Sequence, residues 1–147
     1  MTAPEIHTAL QRYWPESEAW LYIKELRVAT GYSAGAGQRI DAYVINCWPS
    51  NFTKRISVEI KVTKGDFKAE LKWPLKREPA YRFSNELYFA APLGLLDHAT
   101  IPPDAGLLEV APDGQVTVAL PAPWHDGDNP SWVFVASLAR TAAKRFA

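Results

Sequence analysis

Residues 55–62 (RISVEIKV) alternate without a break. Ile56, Val58, Ile60 and Val62 fall on one side of an extended chain, and Ser57, Glu59 and Lys61 fall on the other. This run is predicted to be a strand with one wholly aliphatic face, which must pack on a core. The other face sets a carboxylate and an ammonium two residues apart, with Cα atoms about 6.6 Å from each other. Charges on so apolar a strand are costly unless they pair or bind something.

The rest of the chain supplies partners for such a strand. Residues 39–46 (RIDAYVIN) read as a second strand, separated from the first by the turn residues Pro49, Ser50 and Asn51. The two read as a hairpin, and if they pair, Asp41 stands beside Glu59. Residues 20–28 and 86–91 (ELYFAA) are further strands, and 106–111 and 116–120 flank an Asp113-Gly114 hairpin turn. Helices are predicted at 3–14, ended by Pro15, at 64–73, opened by Gly65-Asp66 and closed by Pro74, and at 131–146. In the middle helix Phe67 and Leu71 are the expected apolar face, and in the last Val133, Leu138, Ala142 and Phe146 are the expected contacts. The glycine-rich stretch 30–38 (TGYSAGAGQ) lacks the Lys-Ser or Lys-Thr ending of a phosphate-binding loop and reads as a strand connection. This order predicts one α/β (α+β) domain over residues 1–147.

Composition narrows the function classes. The chain has 147 residues, 48% hydrophobic and 22% charged, which argues against wholesale disorder. No apolar run approaches the roughly 18 residues needed to cross a bilayer, and residues 1–10 show no secretory pattern, so a soluble cytoplasmic protein is expected. The single Cys47 allows no internal disulfide and is expected to be buried. His7, His98 and His125 are isolated in sequence and read as surface or capping residues. The six tryptophans read mostly as core, and Trp73 is expected there too, with stacking on a base as its alternative. Asp126 and Asp128 in the run HDGDN lack the ligand set of a calcium loop and read as a turn.

Net charge is zero, but its distribution is uneven. Residues 54–82 hold nine basic and four acidic side chains, so the segment is +5 and the remainder −5. Lys64, Lys68 and Lys72 recur every four residues and form one stripe on the predicted helix. This is the footprint of a surface that touches phosphates, and equally of an ordinary solvated helix. Beside it, Asp41 and Glu59 would repel one another unless a hard cation, which takes oxygen ligands and waters, lay between them. Such a cation polarises a phosphate oxygen and lowers the pKa of a bound water, and Lys61 would orient that water or offset developing charge. The competing interpretation is an alternating strand with a solvated polar face and a Glu–Lys neighbour pair.

The series Arg39-Ile40-Asp41, then Val58-Glu59-Ile60-Lys61, resembles the PD-(D/E)xK nuclease superfamily, with Ile40 in place of the proline. The continuation, Gly65-Asp66-Phe67-Lys68-Ala69, Lys72-Trp73-Pro74, Leu87-Tyr88-Phe89-Ala90-Ala91-Pro92 and Pro102 to Leu108, looks like the MmcB-like DNA-repair branch, which reads approximately RRAD, VEIKSS, DFRxDxKWP, FYFAVP and LPxxxGLI in that order. The likeness spans about residues 20–112. Val62-Thr63 departs from the paired serines, and the 30–38 loop is unusually long.

The resemblance implies a restriction-endonuclease-like fold with a central mixed sheet flanked by helices. It implies a Mg²⁺- or Mn²⁺-dependent nuclease acting on DNA, in DNA repair, recombination or phage or bacterial DNA processing. Asp41 and Glu59 match the metal-binding carboxylates, the Ile60 carbonyl a further ligand, and Lys61 the catalytic lysine. Glu25 and Glu5 (or Gln11, on another face of the first helix) are candidates for an additional acid, and Glu25 could equally pair with Arg27 or Arg39. Lys64, Lys68, Lys72, Lys76 and Arg39 are candidates for holding nucleic acid, and Trp73 for stacking. Many relatives dimerise to cut two strands, so a homodimer stands beside a monomer. Two other outcomes stay open: an accessory protein that keeps the fold and binds DNA but cleaves poorly, and an interaction protein with a fortuitous triplet.

Overall fold

A computed structural model describes residues 1–28 and 38–144. The glycine-rich stretch at 30–37 and Phe146 therefore lie outside the described residues.

Six strands form one mixed sheet in chain order: β1 (Trp20–Arg27), β2 (Arg39–Asn46), β3 (Arg55–Ile60), β4 (Glu86–Pro92), β5 (Gly106–Val110) and β6 (Val116–Leu120). β1, β2 and β3 are mutually antiparallel, β3, β4 and β5 run parallel, and β6 returns antiparallel through the Asp113-Gly114 turn. Gly114 has φ 89°, the left-handed conformation that this turn needs. Helices cover both faces: α1 (Ala3–Tyr13), α2 (Lys64–Lys72), the short α3 (Glu78–Arg82) and α4 (Trp132–Lys144).

The alternation of residues 55–62 becomes a strand buried on both sides. Ile56, Val58 and Ile60 meet Ile6 and Leu10 of α1, together with Val44, Leu108 and Val110. On the other face Phe67 of α2, Phe83 and Phe134 of α4 pack against Tyr43, Leu87 and Phe89. The polar side of β3 is therefore not solvated. Ser57 is fully buried and donates to the Ala80 carbonyl at 2.8 Å, and Glu59 is 7% exposed.

Several local expectations change. The cap of α2 is Thr63, whose hydroxyl accepts the Asp66 N–H at 3.1 Å. The inward residues of α2 are Phe67 and Glu70, an i, i+3 pair, while Leu71 is exposed. In α4 the inward residues are Phe134 and Ser137, with Leu138 and Ala142 packed beside them and Val133 exposed. Cys47 is exposed, because it follows the end of β2. Trp48, Trp73, Trp124 and Trp132 are exposed and only Trp14 is buried, so the tryptophans are mostly surface. The HDGDN run is a loop pinned by Arg82, which donates to Asp128 at 2.8 Å.

Candidate active site

β2 and β3 are paired from Ile45↔Arg55 to Ala42↔Val58, and then they part. β2 continues along β1 to Arg27↔Arg39. The cause is a side chain. Asp41 accepts the backbone N–H of Ile60 at 2.8 Å, taking the place of a strand carbonyl, while the Lys61 N–H turns to Ala90 O at 2.9 Å. β3 therefore ends at Ile60 rather than Val62. Extending the register by one residue sets Asp41 opposite Glu59, close enough that each perturbs the other's carboxyl group. In an extended strand a residue's N–H and C=O point to the same edge, so the Ile60 carbonyl also faces Asp41.

Burial pushes the Asp41 carboxyl above its ordinary range, against the pull of the Ile60 N–H. Glu59 is pushed well above it, first by burial, then by the charges of Asp41 and Glu70, with Lys61 opposing. Two carboxyl groups that are buried and repel each other hold at least one proton more readily than free acids do.

Lys61 is the third member of the expected triplet, and its ammonium lies 2.9 Å from Glu70 Oε1. Arg77 donates to the Glu70 carbonyl at 3.3 Å and stands 3.6 Å from Glu70 Oε2. Its guanidinium also lies over the Phe89 ring, 5.7 Å from the centroid. Glu70 Oε2 is buried without a hydrogen-bond partner. Glu70 and Arg77 belong to the site and were missed in the sequence. The signal was present, since Glu70 lies three residues after Phe67 on one helical face.

His7 and Tyr22 were also missed. His7 is 2% exposed, so it is no surface or capping residue. Its Nδ1 is 2.8 Å from the Tyr22 hydroxyl and its Nε2 3.2 Å from Glu25 Oε1. Burial holds its pKa below the ordinary histidine value, against the Glu25 hydrogen bond. A carboxylate only accepts, so a neutral His7 donates from Nε2 to Glu25 and accepts at Nδ1 from Tyr22. The Tyr22 hydroxyl is pushed up by burial and then by the charges of Asp41 and Glu25. Glu25 holds φ 54°, a left-handed conformation that a non-glycine residue keeps only when its surroundings hold it there.

Of the two candidate extra acids, Glu25 therefore borders the carboxylate pair. Glu5 does not: its N–H and carboxylate are both engaged by Thr2 at the start of α1, and Gln11 is exposed. Lys64, Lys68, Lys72, Lys76 and Arg39 are exposed. His98 pairs with Glu109 at 3.3 Å, and His125 stacks on Tyr81 with ring centroids 3.8 Å apart, so neither is isolated. Among the described residues no group of three or more His, Cys, Asp or Glu side chains is gathered around one point for a metal ion. None of the described helices is long and apolar enough to cross a membrane.

No family model matches the chain, and no curated protein matches it. A solved structure does: the SPO1766 protein of unknown function from Silicibacter pomeroyi, 20% identical, with TM-score 0.66, covering 96% of this chain and 84% of that one. At this identity the likeness shows a shared fold.

Proposed function

We propose that the chain is a metal-dependent nuclease of the PD-(D/E)xK kind, hydrolysing DNA phosphodiester bonds. The observation that carries this reading is the placing of Asp41 opposite Glu59 at the point where β2 leaves β3, with Lys61 directly after the end of β3. The mixed sheet with flanking helices is compatible with the restriction-endonuclease-like fold that the sequence resemblance implies.

The donor set fits Mg²⁺ or Mn²⁺. Two carboxyl groups held together in a buried place, with a carbonyl beside them, are oxygen donors of the kind a hard cation takes, the remaining positions going to water. Asp41, Glu59 and the Ile60 carbonyl would hold the ion, which when bound polarises a phosphate oxygen and acidifies a water. The chain's own contribution is positional. Asp41 is fixed by the Ile60 N–H, so one of its oxygens has a set direction. Lys61 is fixed by Glu70, so its ammonium stays near the carboxylate pair, where it offsets charge developing on the phosphate. Arg77 offsets part of the Glu70 charge and leaves Lys61 the more available.

The test is cleavage of labelled DNA with Mg²⁺, Mn²⁺ or EDTA, by wild type, Asp41→Ala and Lys61→Ala. Metal-dependent cutting that falls about 10²–10³-fold in Lys61→Ala is expected, by analogy with the loss of one transition-state donor elsewhere. A folded wild type that cuts nothing would refute the reading. One observation favours the accessory alternative: Lys61 is 14% exposed and already paired, and among the described residues no three acids are grouped so as to hold a metal ion. Under that reading DNA is bound without cutting.

A further inference from the structure

The end of α2 exposes apolar surface that the fold had every opportunity to bury. Trp73 closes the helix and Pro74 follows it, opening a short 3-10 helix at Pro74–Arg77. Pro74 cannot continue the α2 hydrogen-bond ladder, so the chain turns there. Trp73 remains 64% exposed and Leu75 74% exposed. Trp124, by contrast, packs on Phe52 with ring centroids 6.3 Å apart, and Trp132 lies at the start of α4, outside residues 54–82. Trp73 alone among the exposed tryptophans belongs to the +5 segment.

Cations flank it in the sequence. Lys64, Lys68 and Lys72 step along the exposed side of α2 by about 6 Å each, and Lys76 follows Leu75. None of these four enters an ion pair among the described residues, whereas Lys54 and Lys61 do. On its inner side the same helix carries Glu70, which holds Lys61. An open groove of about 390 Å³ runs along the flank of α2, with Lys64 and Lys68 on one wall and Leu95, Leu96, Asp97 and Thr100 opposite.

We propose that α2 and Trp73 form a binding track for single-stranded DNA, with one unstacked base lying on the Trp73 indole and the phosphates on the lysines. This rests on the nuclease reading only in taking DNA as the ligand. Charge complementarity selects a polyanion over a second copy of this net-neutral chain. The aromatic selects the strandedness. An indole stacks on a base face, and in a duplex those faces are covered by neighbouring bases, whereas a single strand presents them. Lysines alone would serve either form of DNA equally. The strand would then pass along the helix that reaches the carboxylate site, so the scissile bond comes from an unpaired region.

The experiment is fluorescence anisotropy with the full chain in EDTA, so that cleavage does not intervene. The probes are a labelled oligonucleotide and the same oligonucleotide annealed to its complement. The single strand is expected to bind more tightly than the duplex. Trp73→Ala should weaken the single strand by about 5–150-fold and leave the duplex unchanged, while Trp73→Phe restores most of the loss. With four lysine contacts the slope of log affinity against log salt should be about −2.8, and Lys68→Ala/Lys72→Ala should reduce its magnitude by about 1.4. Both substitutions are at exposed positions, and a thermal melt of each variant confirms folding. Equal or tighter duplex binding overturns the proposal, as does a Trp73→Ala variant that binds single strands as wild type does. A dimer that Trp73→Ala dissociates without change in DNA affinity would make the patch a protein interface and overturn it too. Single-strand binding that needs Trp73, in a protein that cuts nothing, removes the nuclease reading and leaves this one standing.

Discussion

Replacing Glu59 by Gln should make the protein more stable at alkaline pH and leave it unchanged at acid pH. The amide keeps the shape of the side chain and can donate to the Asp41 opposite it, but it has no charge to bury. In the wild type the folded Glu59 and Asp41 hold their protons to higher pH than the unfolded chain does. The folded state therefore binds more protons than the unfolded state between the ordinary carboxyl pKa and the raised one. Stability falls as pH rises through that window and is flat above it. Each pH unit of the window removes about 1.4 kcal/mol. The gain is therefore set by how far the Glu59 pKa is raised, at about 1.4 kcal/mol per unit, and the lost attraction of Lys61 for Glu59 trims it. With about 2–4 °C per kcal/mol for a chain of this size, a gain of about 2 kcal/mol raises Tm by about 4–8 °C at pH 8. The gap should close near pH 4.5, close to the ordinary glutamate value of about 4.3. His7 acts in the opposite sense, because a lowered histidine pKa costs stability as pH falls through the ordinary histidine range. Both proteins carry His7, so the difference in Tm cancels it. The assay is thermal melting of the pair across this range in EDTA, then with excess Mg²⁺. The ion should restore the wild type by about 2.7 kcal/mol at a hundredfold excess over Kd and do little for the variant. A Tm difference that does not change with pH, or a wild type that melts higher at pH 8, would refute the reasoning.

Glu70→Ala should cost about 3–5 kcal/mol in urea unfolding, because it leaves two largely buried cations without their anion. The double variant with Lys61→Ala should lose less than the sum of the two singles, since the charges stranded by one are removed by the other. His7→Phe should cost about 1–3 kcal/mol in the same assay by orphaning the buried Tyr22 hydroxyl, and adding Tyr22→Phe should recover part of it. Gly106→Ala should cost about 3 kcal/mol or more. Its new Cβ would stand 2.5 Å from Ala122 N, Leu120 O and the Tyr88 ring, and two of those atoms are backbone. Chemical denaturation with linear extrapolation reads all three.

The strands were legible because period-2 alternation is a local property, and every predicted strand is present with ends shifted by a residue or two. The end of β3 is instructive. Val62 continues the alternation, but the strand stops at Ile60 because Asp41, nineteen residues earlier, takes the Ile60 N–H. Asp41, Glu59 and Lys61 were legible because a hairpin fixes which residues face each other. Glu70 and His7 were not, because what they do depends on partners in other elements. Each looks like an ordinary polar residue on a helix until the sheet supplies Lys61 or Glu25. Trp73 failed in the opposite direction. Its apolar character argues for burial, and only the helix end at Pro74 holds it outside.

The sheet lists its strands in the order in which the chain makes them, so each strand docks beside the one just before it. Asp41, Glu59, Lys61 and Glu70 all lie within one hairpin and the helix after it. Such short-range closures carry little loop entropy and are expected to form early when the chain folds. At that stage the two carboxyl groups are still hydrated, and their repulsion is screened. It reaches full strength only when α1 and the remaining helices close over the sheet. The conflict is therefore absent from the early hairpin and present in the finished protein, which places its cost on the rate of unfolding rather than on the rate of folding. A chain wired in this way is expected to reach its native state without resistance from its own carboxylate pair, and the pair to shorten how long that state persists.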